Sequence, residues 1–206
     1  VLGGAGISAR AYGVGKGGDI NVNASNSLQL VGFLASDPFI TSSILTSTLA
    51  RGKAGNIAVF TRQLLAQDGG LITSLTFGTG DGGDVFINAA NSITLNTSAT
   101  LINSGQGYVT YIPSYLASQT AIAGNAGNLI INTPSLVIGD KTTLNTTTFG
   151  SGSAGVIRIN AFNIEVNGGV NSSAIRADTS GQTEFGASPI PSGSPGEVNI
   201  NAGRLS

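Results

Sequence analysis

A glycine-rich phrase that gives way to strict alternation of aliphatic and polar residues occurs six times: GKGGDINVN (15–23), GKAGNIAVF (52–60), GDGGDVFIN (80–88), GNAGNLIIN (124–132), GSAGVIRIN (152–160) and GSPGEVNIN (193–201). The phrases align on Gly18, Gly55, Gly83, Gly127, Gly155 and Gly196. The second residue after each anchor is Ile20, Ile57, Val85, Leu129, Ile157 or Val198, and the fourth is Val22, Val59, Ile87, Ile131, Ile159 or Ile200. All are aliphatic and two apart, which on an extended chain puts them on one side. Between them stand Asn21, Ala58, Phe86, Ile130, Arg158 and Asn199, the free variation an outward-facing site tolerates. Period 2 after a glycine turn predicts a strand.

One further apolar run follows each of the first five phrases, and a second follows the second to the fifth. The first is LQL (28–30), LLA (64–66), ITL (93–95), LVI (136–138) and IEV (164–166). The second is LITSLTF (71–77), ATLIN (99–103), TTLNTTTF (142–149) and SSAIRA (172–177). Three short strands separated by turns make one coil. No single coil can bury its own aliphatic face, whereas stacked copies can. The predicted fold is therefore all-β, a right-handed parallel β-helix (a solenoid) of about six coils, since parallel crossovers are almost always right-handed. Such a shaft spans roughly 24 Å between its outer anchors.

Successive anchors lie 37, 28, 44, 28 and 41 residues apart, so plain coils alternate with coils that carry loop extensions. The extensions are placed at 33–44, 104–120 and 179–195, all just before the next glycine phrase and so on one edge of the shaft. Residues 1–206 read as a single stretch of one solenoid that starts and ends in mid-coil, with Ile7–Tyr12 equivalent to Ile72–Phe77.

Composition narrows the function by exclusion. Nine Lys or Arg against ten Asp or Glu give a net charge of −1, which offers no basis for binding nucleic acid or an acidic membrane surface. A hydrophobic content of 40% argues for a folded chain. The absence of Cys and His removes disulfides, thiolate sites, Ser-His-Asp triads and H-E-x-x-H zinc sites. No run approaches the length of about 18 apolar residues that a membrane-spanning helix needs. The chain opens at Val1 without the charged start and apolar core of a signal peptide.

The segments GDGGDVFINAANSITL (80–95), AGNAGNLIINTPSLVIGD (123–140) and ITSLTFGTGDGG (72–83) resemble the repeat region of cyanobacterial filamentous-haemagglutinin-type exoproteins. The alternation of plain and extended coils is similar too, and the likeness runs from about Ile7 to Leu205. The resemblance implies two-partner secretion, in which an outer-membrane transporter is the export partner. It also implies a secreted, cell-surface location and a non-catalytic structural or adhesive role. Glycans, or proteins on host or neighbouring cells, are the ligands it admits. The family's secretion domain, with its Asn-Pro-Asn type motif, is not found in this stretch. Contact with the transporter is therefore assigned to a segment N-terminal to it.

Three segments match G-x-G-x-x-G, at Gly13/Gly15/Gly18, Gly78/Gly80/Gly83 and Gly150/Gly152/Gly155. Each runs into an alternating strand and not into the helix whose N-terminus would hold a pyrophosphate. They read as corners, where glycine permits positive φ and close backbone approach, and no cofactor is assigned. The residues after the anchors, Asp19, Asn56, Asp84, Asn128, Val156 and Glu197, read as a hydrogen-bonded ladder, with a calcium site as the alternative. Asn88, Asn132, Asn160 and Asn201 form another column whose amides can bond along the stack or present a polar recognition stripe.

The acids are scattered, and Arg158 with Glu165 is the one outward basic–acidic combination on neighbouring strands, so no catalytic or metal-binding residue is assigned. A β-helix polysaccharide lyase or glycosidase, which needs clustered carboxylates or a base beside acids, stands as one alternative. A calcium-stabilised surface-layer or matrix protein stands as the other. Tyr108, Tyr111 and Tyr115 are the candidate ligand-binding residues, with Phe33, Phe39 and Phe185 in the matching extensions. Such rings stack on sugars or anchor a partner, or else fold down to cover the shaft's flank.

Overall fold

The structure, a computed structural model, describes residues 1–97, 101–103, 108–110, 112–169, 173–180 and 192–206, with the backbone alone described at 101–103 and 108–110. Among the described residues every regular element is a strand. The glycine phrases feed six long strands: β2 (Ile20–Val31), β6 (Ile57–Gln67), β8 (Val85–Asn96), β12 (Leu129–Ile138), β14 (Val156–Val166) and β16 (Glu197–Leu205). They form one sheet in the order β16-β14-β12-β8-β6-β2, every pair parallel. Six shorter strands, β1 (Gly6–Ala11), β5 (Ser43–Thr48), β7 (Leu71–Thr76), β11 (Ser114–Thr120), β13 (Thr142–Thr148) and β15 (Ala174–Thr179), form a second parallel sheet in that order. Long and short strands alternate along the chain, so each strand pairs with its equivalents in the repeats before and after. Two interleaved parallel sheets of this kind are consistent with a β-helix-like solenoid. The register equates Ile7 with Ile44 and Ile44 with Ile72, the alignment read from the sequence.

Where three strands per repeat are expected, two form. The expected first and second strands run on as one, with register shifts between Ala24 and Ser27, Thr61 and Gln63, and Asn132 and Ser135. In β2, β6 and β8 these junctions carry neither glycine nor proline. Their backbone stays paired with the neighbouring repeats, so the strand bends at a bulge instead of turning.

A second correction concerns ATLIN (99–103), expected in the position that β11 occupies. Residues 101–103 instead form β9 (Leu101–Asn103), paired antiparallel with β10 (Tyr108–Thr110). The inward residues of β11 are Leu116, Ser118 and Thr120, all fully buried. One aliphatic residue followed by two hydroxyls is a pattern that hydrophobic alternation does not register.

The extensions move accordingly. The first contains the antiparallel pair β3 (Phe33–Leu34) and β4 (Asp37–Thr41) and lies between β2 and β5; the second lies between β8 and β11. Only the third lies between a short strand and a glycine phrase, between β15 and β16, and its residues 181–191 are outside the described set. The expectation that all three leave just before a glycine phrase, and so share one edge, does not hold.

The core has an aliphatic side and a hydroxyl side. Ile57, Val59, Val85, Ile87, Leu129, Ile131, Ile157 and Ile159 are buried in register in the long-strand sheet. Val198 and Ile200 are 40% and 38% exposed because β16 is the outermost strand and pairs on one side only. In the short-strand sheet Ile44, Ile72, Leu116 and Leu144 form one buried column. Two buried hydroxyl columns follow it, Thr46/Ser74/Ser118/Thr146 and Thr48/Thr76/Thr120/Thr148.

Those hydroxyls satisfy the glycine corners. Ser118 Oγ donates to the Gly83 carbonyl at 2.9 Å and accepts from the Gly127 amide at 2.8 Å. Ser74 Oγ makes the equivalent pair of bonds to Gly55 and Gly83. The anchor glycines do not have positive φ, contrary to expectation. Their requirement is close approach: a Cβ on Gly127 would run into the Gly83 carbonyl one repeat away, and one on Gly55 into that of Gly18.

Candidate functional site

The polar columns fix how the corners stack. Asp19 Oδ1 accepts from the Asn56 amide (2.7 Å), Asn56 Oδ1 from the Asp84 amide (2.9 Å), Asp84 Oδ1 from the Asn128 amide (2.7 Å) and Asn128 Oδ1 from the Val156 amide (2.9 Å). Each side chain thus holds a backbone N–H of the next repeat. The Asn56 amide is the main reason the Asp19 carboxyl lies below its ordinary range, with Lys16 at 3.1 Å adding to it. A second ladder runs beside the first. Asp81 Oδ1 accepts from the Asn125 amide (2.8 Å), Asn125 Oδ1 from the Ser153 amide (2.9 Å) and Ser153 Oγ from the Ser194 amide (3.2 Å). Its signal was available in the second residue of each phrase, where short polar side chains occupy the last four copies. Among the described residues no three His, Cys, Asp or Glu side chains converge in a metal-like group.

Asn88, Asn132, Asn160 and Asn201 stand in one column by register. Asn160 Nδ2 donates to Asn132 Oδ1 at 2.9 Å, one rung of that column. The column ends at β6, where Phe60 stands opposite Asn88 and packs its ring 5.6 Å from that of Phe86.

The three tyrosines do not share a loop. Tyr115 sits within β11, paired with Leu71 and Thr143, and points away from the core beside the buried Leu116. Tyr108 is in the hairpin strand β10, opposite Asn103. Tyr111 and Phe185 lie outside the described residues. Phe33 is half-buried in β3, and Phe39 in β4 is 89% exposed.

What the structure does bring together is a groove of about 630 Å³ on the outer face of the short-strand sheet. From β11 to β15 its floor is polar, because the outward positions place Gln119, Thr147 and Asp178 on one line and Asn145 beside Arg176 on the next, whereas on β7 the first line begins at Leu75. Thr147 Oγ1 donates to Asp178 Oδ1 at 2.7 Å, and Arg176 Nε lies 3.9 Å from Asp178 Oδ2. Gln119 Nε2 donates to Asn145 Oδ1 at 3.3 Å. Tyr115 stands where the strands enter, and Phe77 and Phe149 where they leave. Burial pushes the Tyr115 phenol above its ordinary value.

The expected Arg158–Glu165 combination forms no ion pair; Glu165 instead accepts from Asn167 Nδ2 at 2.6 Å. The Arg176/Asp178 alternation is not visible in a predicted strand that ends at residue 177 and emerges only when β15 runs to Thr179. Among the described residues no helix is long and apolar enough to cross a membrane. No family model, curated protein or solved structure matches the chain.

Proposed function

We propose that this chain is part of the non-catalytic, adhesive shaft of a secreted bacterial surface protein of filamentous-haemagglutinin type. In this reading it is a right-handed parallel β-helix of about six coils, matching its six glycine phrases, with extensions on alternate coils. The observation that carries the reading is unbroken register. Val59, Ile87, Ile131 and Ile159 succeed one another across four repeats without a gap, and every one is fully buried. Each repeat then depends only on its neighbours, and a stack of this kind lengthens without limit into a stiff rod. Corners tied by two polar ladders suit a part that presents its outer residues at fixed spacing. Right-handedness follows from the preference of parallel crossovers. Export through an outer-membrane transporter and the cell-surface location rest on the resemblance of the repeat phrases.

The test is antibody labelling of intact, unpermeabilised cells, with electron microscopy of the whole protein beside a form lacking residues 15–201. Surface labelling, a shorter projection and weaker adhesion are expected of the deleted form. Labelling only after lysis would refute the assignment.

A further inference from the structure

We propose that the groove on the outer face of the short-strand sheet binds a neutral, hydroxyl-rich polysaccharide, with Tyr115 as its stacking platform. This deepens the adhesive reading and rests on it only for access to extracellular ligands.

The floor chemistry carries the argument. Asn145 is 8% exposed and uses its Oδ1 to accept from Gln119. Among the described residues its side-chain NH₂ makes no hydrogen bond, nor does the Gln119 Oε1. Among the described residues the Arg176 guanidinium makes one ion pair, from Nε to Asp178 Oδ2 at 3.9 Å, and no hydrogen bond. Donors and acceptors with spare capacity thus lie side by side, on strands whose spacing is about 4.8 Å. Vicinal hydroxyls, each able to donate and accept, are the groups that match such a floor. The Tyr115 ring, half-buried and rigidly seated in a strand, supplies the flat apolar face that a sugar ring covers. From the level of Tyr115 to that of Phe149 the groove runs roughly 20 Å along the strands, a length suited to an extended chain of sugars.

Three alternatives fit less well. Arg176 and Asp178 are the charged residues among the described lining and they neutralise each other, which gives an anionic chain no net attraction. Hydrolysis by the usual pair of carboxylates would need a second acid, and the described lining offers only Asp178. A protein partner anchors in a dry apolar centre, whereas here Leu75 is the one aliphatic side chain on the central line, which continues through Gln119, Thr147 and Asp178.

The purified chain should be run in native gels containing hydroxyethylcellulose, mannan, dextran or alginate. Retardation by at least one neutral polymer is expected, with binding on the order of tenfold weaker for Tyr115→Ala and for Asn145→Ala. Truncating Tyr115 also removes packing, so Arg176→Ala, on a side chain 55% exposed, serves as a second variant. Melting temperatures are measured beside each gel. Phe162→Ala, 71% exposed and outside the groove, should bind as the parent does. No retardation by any neutral polymer, retardation by alginate alone, or binding unchanged in all three groove variants would overturn the proposal. Surface labelling of cells decides the shaft reading separately.

Discussion

Asn128 gives both its backbone amide and its side-chain amide to a single oxygen of Asp84, at 2.7 and 3.0 Å, one repeat away. The Asp84 backbone amide in turn is held by Asn56 Oδ1 at 2.9 Å. An acid and an amide alternating up the column therefore do what two stacked acids could not: each supplies an acceptor, and like charges are never adjacent.

Asp84→Ala removes that acceptor and leaves the Asn128 amide unpaired in a part-buried corner, which should cost about 1–3 kcal/mol. Asp84→Asn keeps an oxygen in place and should cost well under half as much. Urea unfolding of the two variants checks this. Equal losses would show that the charge, and not the acceptor, matters.

Gly127→Ala places a methyl against the Gly83 carbonyl and within 3.0 Å of the Asp84 backbone nitrogen. Neither backbone group can swing away as a side chain would, so a loss of about 1–3 kcal/mol is expected, as for overpacking. Gly13→Ala meets nothing within 4 Å and should stay within about 0.5 kcal/mol of the parent. Comparable losses at the two positions would refute the close-approach account of the glycine phrase.

Two buried hydroxyls should respond in opposite ways. Ser118 bridges two repeats, and Ser118→Ala leaves the Gly83 carbonyl and the Gly127 amide without their partner, at a cost of about 1–3 kcal/mol. Thr73 is also buried, but among the described residues its Oγ1 has no hydrogen-bond partner. Thr73→Val keeps the shape, drops the unpaired hydroxyl, and should be neutral or stabilising. Thermal melts of both variants, with Ile131→Ala as a core reference expected to lose about 2–5 kcal/mol, decide the matter.

The contrast between Ile131 and Ser118 also explains which parts of the fold could be read from the sequence. The long-strand sheet shows itself through aliphatic pairs such as Leu129 and Ile131, because there the inward face is mostly aliphatic, with buried threonines only at positions such as Thr61 and Thr133. The short-strand sheet does not, because beyond Leu116 its inward face is Ser118 and Thr120, buried only because the glycine backbone opposite supplies their partners. Composition-based alternation treats those hydroxyls as outward, so it favours 99–103 over β11. The same reading places Tyr115 in a loop, although it belongs to a strand. The groove was illegible for a related reason. Gln119, Asn145 and Arg176 come from three different repeats, and only the register, not proximity along the chain, brings them together.

Tyr115 offers a test of this placement that does not depend on any ligand. Burial raises its phenol above the ordinary value of 10.0, so the neutral form is favoured in the folded chain. Above about pH 10 the unfolded chain releases this proton first and binds fewer protons than the folded one. Stability contributed by Tyr115 is therefore fully present below that pH and is lost as pH rises towards the folded value. Among the described residues its hydroxyl has no hydrogen-bond partner, so Tyr115→Phe should leave stability near neutral pH almost unchanged. On the alkaline side the variant should lose less stability per pH unit than the parent. Phenolate absorbance should show one late-ionising tyrosine in the parent and none at that position in the variant. If the two proteins titrate alike and melt alike across the alkaline range, the Tyr115 side chain is solvated and the groove lacks the half-buried, fixed ring on which its stacking surface depends.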